Sequence, residues 1–600
     1  MKLKDIIKGF WLLLAAVALP SCSEEVETPT EGDNAPQEPE YYLSLKVNFN
    51  EDNNTRGATE NNGNTSTDGE NKGAGNESTL TSAHLFFFDA TGDDDNIDSN
   101  PYVVQYFAHN LTIEPNSGTY SLIAKLEDWD LVRLAGKKLH LYVIGNMAVN
   151  IDYNNYKTEG AFLANTFTET TLGGTYARAF GEGIEGQSVP LNNYDIYIID
   201  LSNITGSNDK EIKDLFKVLF TGTYTPSGGE PGKLWYSSSE NEIRDSGGNL
   251  LYKGSGNLKL QRAVARVDYK AGEPGNIYPL NNGLNTNTKD EDKQTYLKIQ
   301  SLKLFNVGKE AYLYRHTAAG TQKAAGDTRS YFGDENGGVA DKYNWIVTPD
   351  WNSKKGVSLG NDLNGNENIV LPQGTDLYFN QPIVTGGKEK NEDGEFIYDW
   401  SVPGTEGYTT TAALDNWMTK NGQDGTDLAS GYTPWYYVME NTVPKTEMMT
   451  LPFCTGIAFR MVVWDKVKDE PLMKLDDGSS LVITMGNGAG DKTGYYQEIE
   501  WSEEIKDDKN NVIEPAGYYL TYKYLIEHNN VKTGNVNGNS GNKSELAPMQ
   551  IGIVRNNIYQ IKVNSISSLP DPHEPDNITL SVEVKIWPWD KRYDDDITLF

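Results

Sequence analysis

Histidine and cysteine are scarce in this chain, with six His and two Cys among 600 residues. The His (His84, His109, His140, His316, His528 and His573) stand far apart, and no His-Glu-x-x-His run occurs, so there is no zinc signature. The chain has no P-loop and no Gly-x-Ser-x-Gly. The nearest string, Gly254-Ser255-Gly256, lacks the spacing of a nucleophile elbow. Positive charge is short as well: 52 Lys and Arg face 85 Asp and Glu, for a net charge of −33. That balance excludes nucleic acid as a partner and an electrostatic grip on anionic lipid. Carboxylate pairs are so common that none marks a glycosidase. Asp93-Asp94-Asp95-Asn96 with Asp98 lacks EF-hand spacing and reads as a solvated acidic loop rather than a calcium site. These absences predict a protein that is not an enzyme and needs no cofactor or metal.

The two Cys have separate fates. Cys22 ends the string Leu19-Pro20-Ser21-Cys22, after a basic start (Lys2, Lys4, Lys8) and an apolar run from Phe10 to Leu19. The run is too short for a permanent span and has the layout of a secretory signal. A Cys after a small residue at its end is the lipobox of a bacterial lipoprotein. Residues 1–21 therefore read as a lipoprotein signal peptide, and Cys22 as the acylated residue of an exported, lipid-tethered precursor. Cys454 is left alone, so no internal disulfide is possible. It lies in an apolar stretch and reads as a buried small hydrophobe.

What the chain does have is aromatic residues (11%, with 35 Tyr) and 58 Gly, a mix that suits many short strands joined by turns. Residues 23–40 are acidic and Pro-rich and read as a tether. Tyr41–Phe49 alternates: Leu43, Leu45, Val47 and Phe49 share one face of a strand. A polar stretch, 50–78, follows with one Arg, Arg56, an accessible site for an Arg-specific protease that would leave Gly57 as the new N terminus. Strand-like runs recur at His84–Asp89, Tyr102–Phe107, Leu139–Ile144, Asp195–Asp200 and Leu297–Asn306. They continue at Ile457–Trp464, Leu481–Met485, Tyr518–Ile526, Gln550–Arg555, Ile558–Ile566 and Ile578–Trp587. Lys210–Phe220 has the period of a short helix, whereas Leu260–Lys270 is ambiguous. Asn281–Lys293 reads as a polar loop at a domain seam, and Lys309–Gly422 as loop-rich. Trp587 and Trp589 read as packing over a sheet end rather than as a sugar platform. No repeat of 20–50 residues appears, so a solenoid is excluded.

The unusual features sit at the two ends. If a protease cut at Arg56, the first strand could leave and open an apolar groove with unpaired backbone edges. A strand from another polypeptide can complete such a sheet. The C-terminal segment of a second copy is the natural candidate, with Ile597 and Leu599 on one face and Phe600 ending the chain on the other. Head-to-tail filling does not close on itself and makes a filament.

The lipobox, Arg56, Leu260–Tyr269, Thr455-Gly456-Ile457-Ala458-Phe459, Val554-Arg555-Asn556-Asn557-Ile558-Tyr559 and Val582-Glu583-Val584-Lys585-Ile586-Trp587-Pro588-Trp589 together resemble the Bacteroidetes fimbrillins, or type V pilins. Within that family the chain resembles the structural subunit of the minor (short) fimbriae. Ser23-Glu24-Glu25 is similar to the signal that sends lipoproteins of these bacteria to the outer-membrane surface.

The resemblance implies a mainly β fold of two tandem transthyretin-like β-sandwich domains with short helices and long loops. It divides the chain into a signal peptide (1–21), a propeptide holding the lipid Cys, tether and leaving strand (22–56), an N-terminal sandwich (57–280) and a C-terminal sandwich with the donor strand at its end (281–600). It makes Arg56 the cleavage position, Tyr41–Phe49 the leaving strand, and the stretch after Asp590 the donor. The implied role is a surface fimbria supporting adhesion and biofilm formation. Its partners would be copies of itself, accessory pilins, the Arg-specific protease, host or bacterial surface ligands and, before cleavage, the outer membrane through lipid. Two alternatives stay open: a non-polymerising glycan-binding surface lipoprotein, and an accessory pilin at the tip or anchor.

Overall fold

The alternating runs pair, in a computed structural model of the protein, into two large β-sheets. The structure describes residues 41–49, 79–92, 99–106, 111–116, 119–147, 156–168, 189–193, 197–213, 223–224, 233–235, 242–244, 250–254, 258–285, 294–305, 307–308, 310–314, 316–318, 345–349, 358–361, 367–370, 379–380, 409–410, 433–443, 453–485, 496–506, 512–528, 551–570 and 580–588. All of them belong to the compact unit Tyr41–Phe600. The fold is mainly β, as the sequence predicts.

The first sheet contains β1 (Tyr41–Phe49), β2 (Ala83–Asp89), β3 (Tyr102–Tyr106), β4 (Leu111–Asn116), β5 (Thr119–Leu126), β6 (Lys138–Gly145), β7 (Leu191–Asn193), β8 (Tyr197–Asp200) and β9 (Leu258–Arg262). Across it they run β3-β2-β6-β7-β9-β1-β5-β4, with β8 sharing an edge of β6. Side chains from β1 through β9 meet in one core, so the sheet curls on itself. The run Phe86-Phe87-Phe88 in β2 is buried on both faces. Phe87 meets Tyr106 edge-on at 5.7 Å, while Phe86 and Phe88 face Phe162 at 4.7 and 5.1 Å. Phe162 lies on a short helix, α2 (Glu159–Leu163), whose Thr158 cap accepts a bond from the Ala161 amide. An earlier helix, α1 (Asp128–Leu134), was not expected from the sequence. Its first turn is held by the Glu127 amide donating to Asp130 Oδ2 at 3.0 Å, and Leu131 and Leu134 point into the core. Of the expected helix at 210–220, residues 209–213 are helical and the remainder lies outside the described residues.

The second sheet contains β10 (Ala265–Lys270), β11 (Ile277–Asn285), β12 (Gln294–Phe305), β13 (Thr433–Val438), β14 (Gly456–Asp465), β15 (Gly517–Leu525), β16 (Asn557–Ile566) and β17 (Leu580–Pro588). The order is β13-β10-β16-β11-β12-β14-β15, with β17 antiparallel on β16. It encloses a second core, and Cys454 is buried as expected.

Three local expectations need revision. The ambiguous Leu260–Lys270 is two strands in two different sheets, with only Ala263 and Val264 between them. Residues 281–285, read as part of a polar loop, continue β11. After a register irregularity between Pro279 and Leu284, Leu284 pairs with Gln294 of β12 on one edge and with Thr484 of the strand Leu481–Met485 on the other. The sheets therefore part at 263–264, and a seam at 280/281 would fall within a strand. Gln550–Arg555 is not a continuous strand: Ile551 and Ile553 make isolated bridges to Glu527 and Asn441.

Candidate functional site

β1 is an interior strand, laddered on both edges. On one side it runs antiparallel to β5 over seven residues, from Tyr41 opposite Leu126 to Val47 opposite Tyr120. On the other it runs parallel to two separate segments. Tyr41 and Tyr42 pair with Leu234 and Trp235, and Val47, Asn48 and Phe49 pair with Leu258, Lys259 and Leu260. Leu43, Leu45 and Val47 are buried (8%, 1% and 0% exposed), beside Leu122 and Ala124 of β5 and Leu258 and Leu260 of β9. Each buried aliphatic side chain contributes about 1.5–3 kcal/mol, and both neighbouring edges depend on β1 for their backbone partners. The slot is thus a cleft of fixed register, walled by β5 and β9. Of the four residues assigned to this strand face, three line the core; Phe49 is placed by its backbone opposite Leu260.

The last strand among the described residues, β17, pairs with β16 from Leu580 opposite Ile566 to Pro588 opposite Asn557. Val582 packs on the second core. Among the described residues β17 is paired along β16 alone, and it ends beside the passage between the sheets. Cys22, Arg56, Gly57, Ile597, Leu599 and Phe600 lie outside the described residues, as do 93–98.

A buried hub joins the two sheets. The Arg555 guanidinium donates to Glu440 Oε2 at 2.6 Å, to Tyr312 O at 2.7 Å and to Leu313 O at 3.1 Å. Its amide donates to Glu440 Oε1 at 3.2 Å. Asn556 adopts a left-handed backbone (φ 59°), which Asn tolerates better than most residues. There its amide donates to Val264 O at 2.9 Å, and its Oδ1 accepts from the Arg262 amide at 3.1 Å. The Asn557 side chain closes the turn by donating to Val554 O and Arg555 O.

The stretch held by Arg555 crosses into the first core. Glu310–Tyr312 pairs with Thr166–Thr168, the Leu313 amide donates to Asn165 O at 2.9 Å, and Tyr314 OH donates to Val143 O at 2.8 Å. His316 stacks on Tyr312 at 3.8 Å, and its Nε2 donates to Leu163 O at 2.7 Å. Burial, reinforced by the nearby Arg555 charge, pushes the His316 pKa down to about 4. The sequence reads this stretch only as part of the loop-rich Lys309–Gly422. The readable signals were an Arg and an Asn pair set in the apolar run 551–561, and the string Ala311-Tyr312-Leu313-Tyr314.

A second buried group fixes α2. Glu159, fully buried, accepts from Asn100 Nδ2 at 2.6 Å and from Tyr142 OH, and faces His140 Nδ1 at 2.9 Å. Pairing is what makes burial of such a carboxylate tolerable.

Residues 518–595 match the family described as Major fimbrial subunit protein type IV, Fimbrillin, C-terminal. The match runs from β15 through β17 and includes the Arg555–Asn557 turn. No curated protein matches the chain. Among solved structures the chain is similar to a proposed cell adhesion protein of Parabacteroides distasonis (12% identity, 92% of this chain and 100% of that one, TM-score 0.33). It is also similar to a proposed cell adhesion protein of Bacteroides eggerthii (9% identity, 94% and 99%, TM-score 0.31). A third is the tip fimbrial protein Mfa3 of Porphyromonas gingivalis with a C-terminal truncation (11% identity, 92% and 100%, TM-score 0.29). The fimbrillin resemblance read from the sequence is borne out over the matched segment, which is that of a non-enzymatic structural subunit.

Proposed function

We propose, from a chain whose C-terminal segment is that of a fimbrillin, that this protein builds a surface fimbria by exchanging its first strand for a strand of a second copy. It is exported as a lipoprotein acylated at Cys22 and held at the outer membrane. An Arg-specific protease cuts after Arg56, so the mature chain begins at Gly57. β1 then departs, and the segment after Asp590 of another copy, carrying Ile597, Leu599 and Phe600, enters the slot. Each copy carries one slot and one tail, so the contact is heterologous and propagates as a fibre. Accessory pilins end or anchor the fibre, which serves adhesion and biofilm formation. The subunit is organised as two tandem β-sandwich domains meeting at Ala263 and Val264.

The observation that carries this reading is β1 itself. It ladders to β5 and β9 at once and buries Leu43, Leu45 and Val47, yet belongs to a short N-terminal piece that one cut at Arg56 would detach. A slot emptied of that strand is stable only when refilled. Arg56→Ala tests the proposal. The variant should accumulate on cells as an uncut monomer without fibres in electron micrographs, whereas the parent yields fibres whose subunit begins at Gly57. Abundant normal fibres from the variant would sink it.

A further inference from the structure

The slot held by β1 has two mouths, and they differ in what lies beside them. β1 runs parallel to β9, with Val47 opposite Leu258 and Phe49 opposite Leu260. β9 leads through Ala263 and Val264 into the second sheet, so β1 points towards the passage between the sheets. Phe49 marks the inner mouth. Tyr41, opposite Leu126 of β5 and Leu234, marks the outer one, eight residue steps or about 26 Å further out.

The end of β17 lies beside the inner mouth. Pro588 is opposite Asn557, the neighbouring Asn556 accepts from the Arg262 amide at 3.1 Å, and Arg262 is two residues past Leu260. Those steps trace about 25 Å from Pro588 to Phe49, and the straight path is shorter. With Ile597 and Leu599 at two neighbouring inward positions of the slot, Tyr593 or Asp595 falls at whichever mouth the strand enters. These residues are five and seven places after Pro588, at most about 24 Å of extended chain. That length reaches the inner mouth of the same copy. It falls short of the outer mouth, a whole slot length further on.

The walls favour one direction. β5 pairs with β1 antiparallel over seven residues, whereas the parallel partners on the other edge cover two and three. A strand running with β1 keeps the long antiparallel ladder. A strand running against it makes that ladder parallel, the weaker pairing per residue. It also enters at the inner mouth, where the copy's own tail is tethered at an effective concentration of order millimolar, and the slot closes on itself.

We propose, on the strand-exchange reading above, that the incoming strand runs in the direction of β1 and enters at Tyr41. The slot is then out of reach of its own tail, and the donor is a second copy whose β17 end abuts the outer mouth. The contact brings the rim at Tyr41 and Leu126 of one copy against the Asn556–Asn557 turn and Pro588 of the next. Every copy in the fibre points the same way.

Double variants of the full chain, in cells that make fibres, test the direction. Lys125 stands opposite Tyr42 near the outer mouth, and Ser121 opposite Lys46 near the inner one. Both are on the face of β5 away from Leu122 and Ala124. Asp594 falls close to the mouth of entry. Treated with a short bis-maleimide, fibres of Lys125→Cys/Asp594→Cys should give a ladder of covalent multimers on denaturing gels. Fibres of Ser121→Cys/Asp594→Cys should stay monomeric, and Cys454 is buried away from the reagent. A ladder from the Ser121 variant would mean the reverse direction, and an internally bridged monomer a self-filled slot. Either overturns the proposal and leaves strand exchange standing. Fibres without a ladder from either variant would mean that the tail does not occupy the slot, and the donor role falls with the proposal. If the cysteines stop assembly, an insertion of about ten Gly and Ser residues between Asp590 and Lys591 decides instead. The lengthened tail reaches its own outer mouth, so fibre yield should drop about tenfold or more in favour of monomer. An undiminished yield overturns the proposal.

Discussion

Arg555 Nη2 and Glu440 Oε2 lie 2.6 Å apart, with the two side chains 0% and 1% exposed. The pair sits where segments from both cores meet, because the same guanidinium also holds Tyr312 O and Leu313 O. Removing Arg555 strands the buried Glu440 carboxylate and takes a donor from Tyr312 O, while Leu313 O keeps the Asn192 side-chain amide. Arg555→Met should therefore destabilise the folded chain by about 3–5 kcal/mol, and Arg555→Met with Glu440→Leu should recover most of it. Urea unfolding of the parent and the two variants checks this. A loss below about 1 kcal/mol for Arg555→Met would mean that the hub is not holding the sheets together.

Leu45 of β1 stands opposite Leu122 of β5, and both are buried to 1% or less. Leu45→Ala in the uncut chain should cost about 2–5 kcal/mol, and Leu122→Ala a similar amount. Because the two side chains share one piece of core, the double variant should cost less than the sum by about 0.5 kcal/mol or more. Additive losses would show that β1 does not sit in this register.

His316 gives the chain a pH dependence of known sign. Its ring stays neutral in the fold, with a pKa near 4, against 6.5 when unfolded. The unfolded state thus takes up the proton more readily. The stability tied to the neutral ring is complete above pH 6.5 and is lost as pH falls towards 4, by at most about 3 kcal/mol. Carboxylates titrate into the lower end of this window, so the readout is a difference. His316→Gln should flatten the fall in melting temperature between pH 6.5 and 4 relative to the parent. Parallel curves would refute the assignment.

What the sequence made legible follows from the range of the forces involved. β1 could be read from Leu43, Leu45 and Val47 because alternation is local, and the register opposite β5 does not alter it. The hairpin β4–β5 was missed although Asn116-Ser117-Gly118 marks a turn. The parallel pairing of Val47 with Leu258 joins residues far apart in the chain, and nothing local encodes it. The same holds for Arg555, whose partners come from 312–313 and 440. An Arg among apolar residues signalled a buried charge, but its partners become known only in the fold. The pair Arg266 and Asp268 was more accessible. Spaced by two in a strand, they share a face, and they form a doubly bonded buried pair at 2.7 and 2.9 Å.

The final prediction concerns the tail. Among the described residues the pairing of β17 ends at Pro588, opposite Asn557, and Asp594–Phe600 lies outside the described residues. Its deletion leaves the β16–β17 ladder, the packing of Val582 and the Arg555 hub in place. If the tail serves a second copy, the truncated chain folds with a melting temperature within about 2 °C of the parent, since nothing worth 1 kcal/mol is lost. It is still exported and still cut after Arg56, but makes no fibres. If instead the tail completes its own second sheet, deletion removes buried Ile597 and Leu599, and the melting temperature should fall by several degrees. Differential scanning calorimetry of the precursor, with electron microscopy of cells, separates the two. Long fibres from the truncated chain would exclude the tail as donor and leave the β1 slot to be filled by another segment.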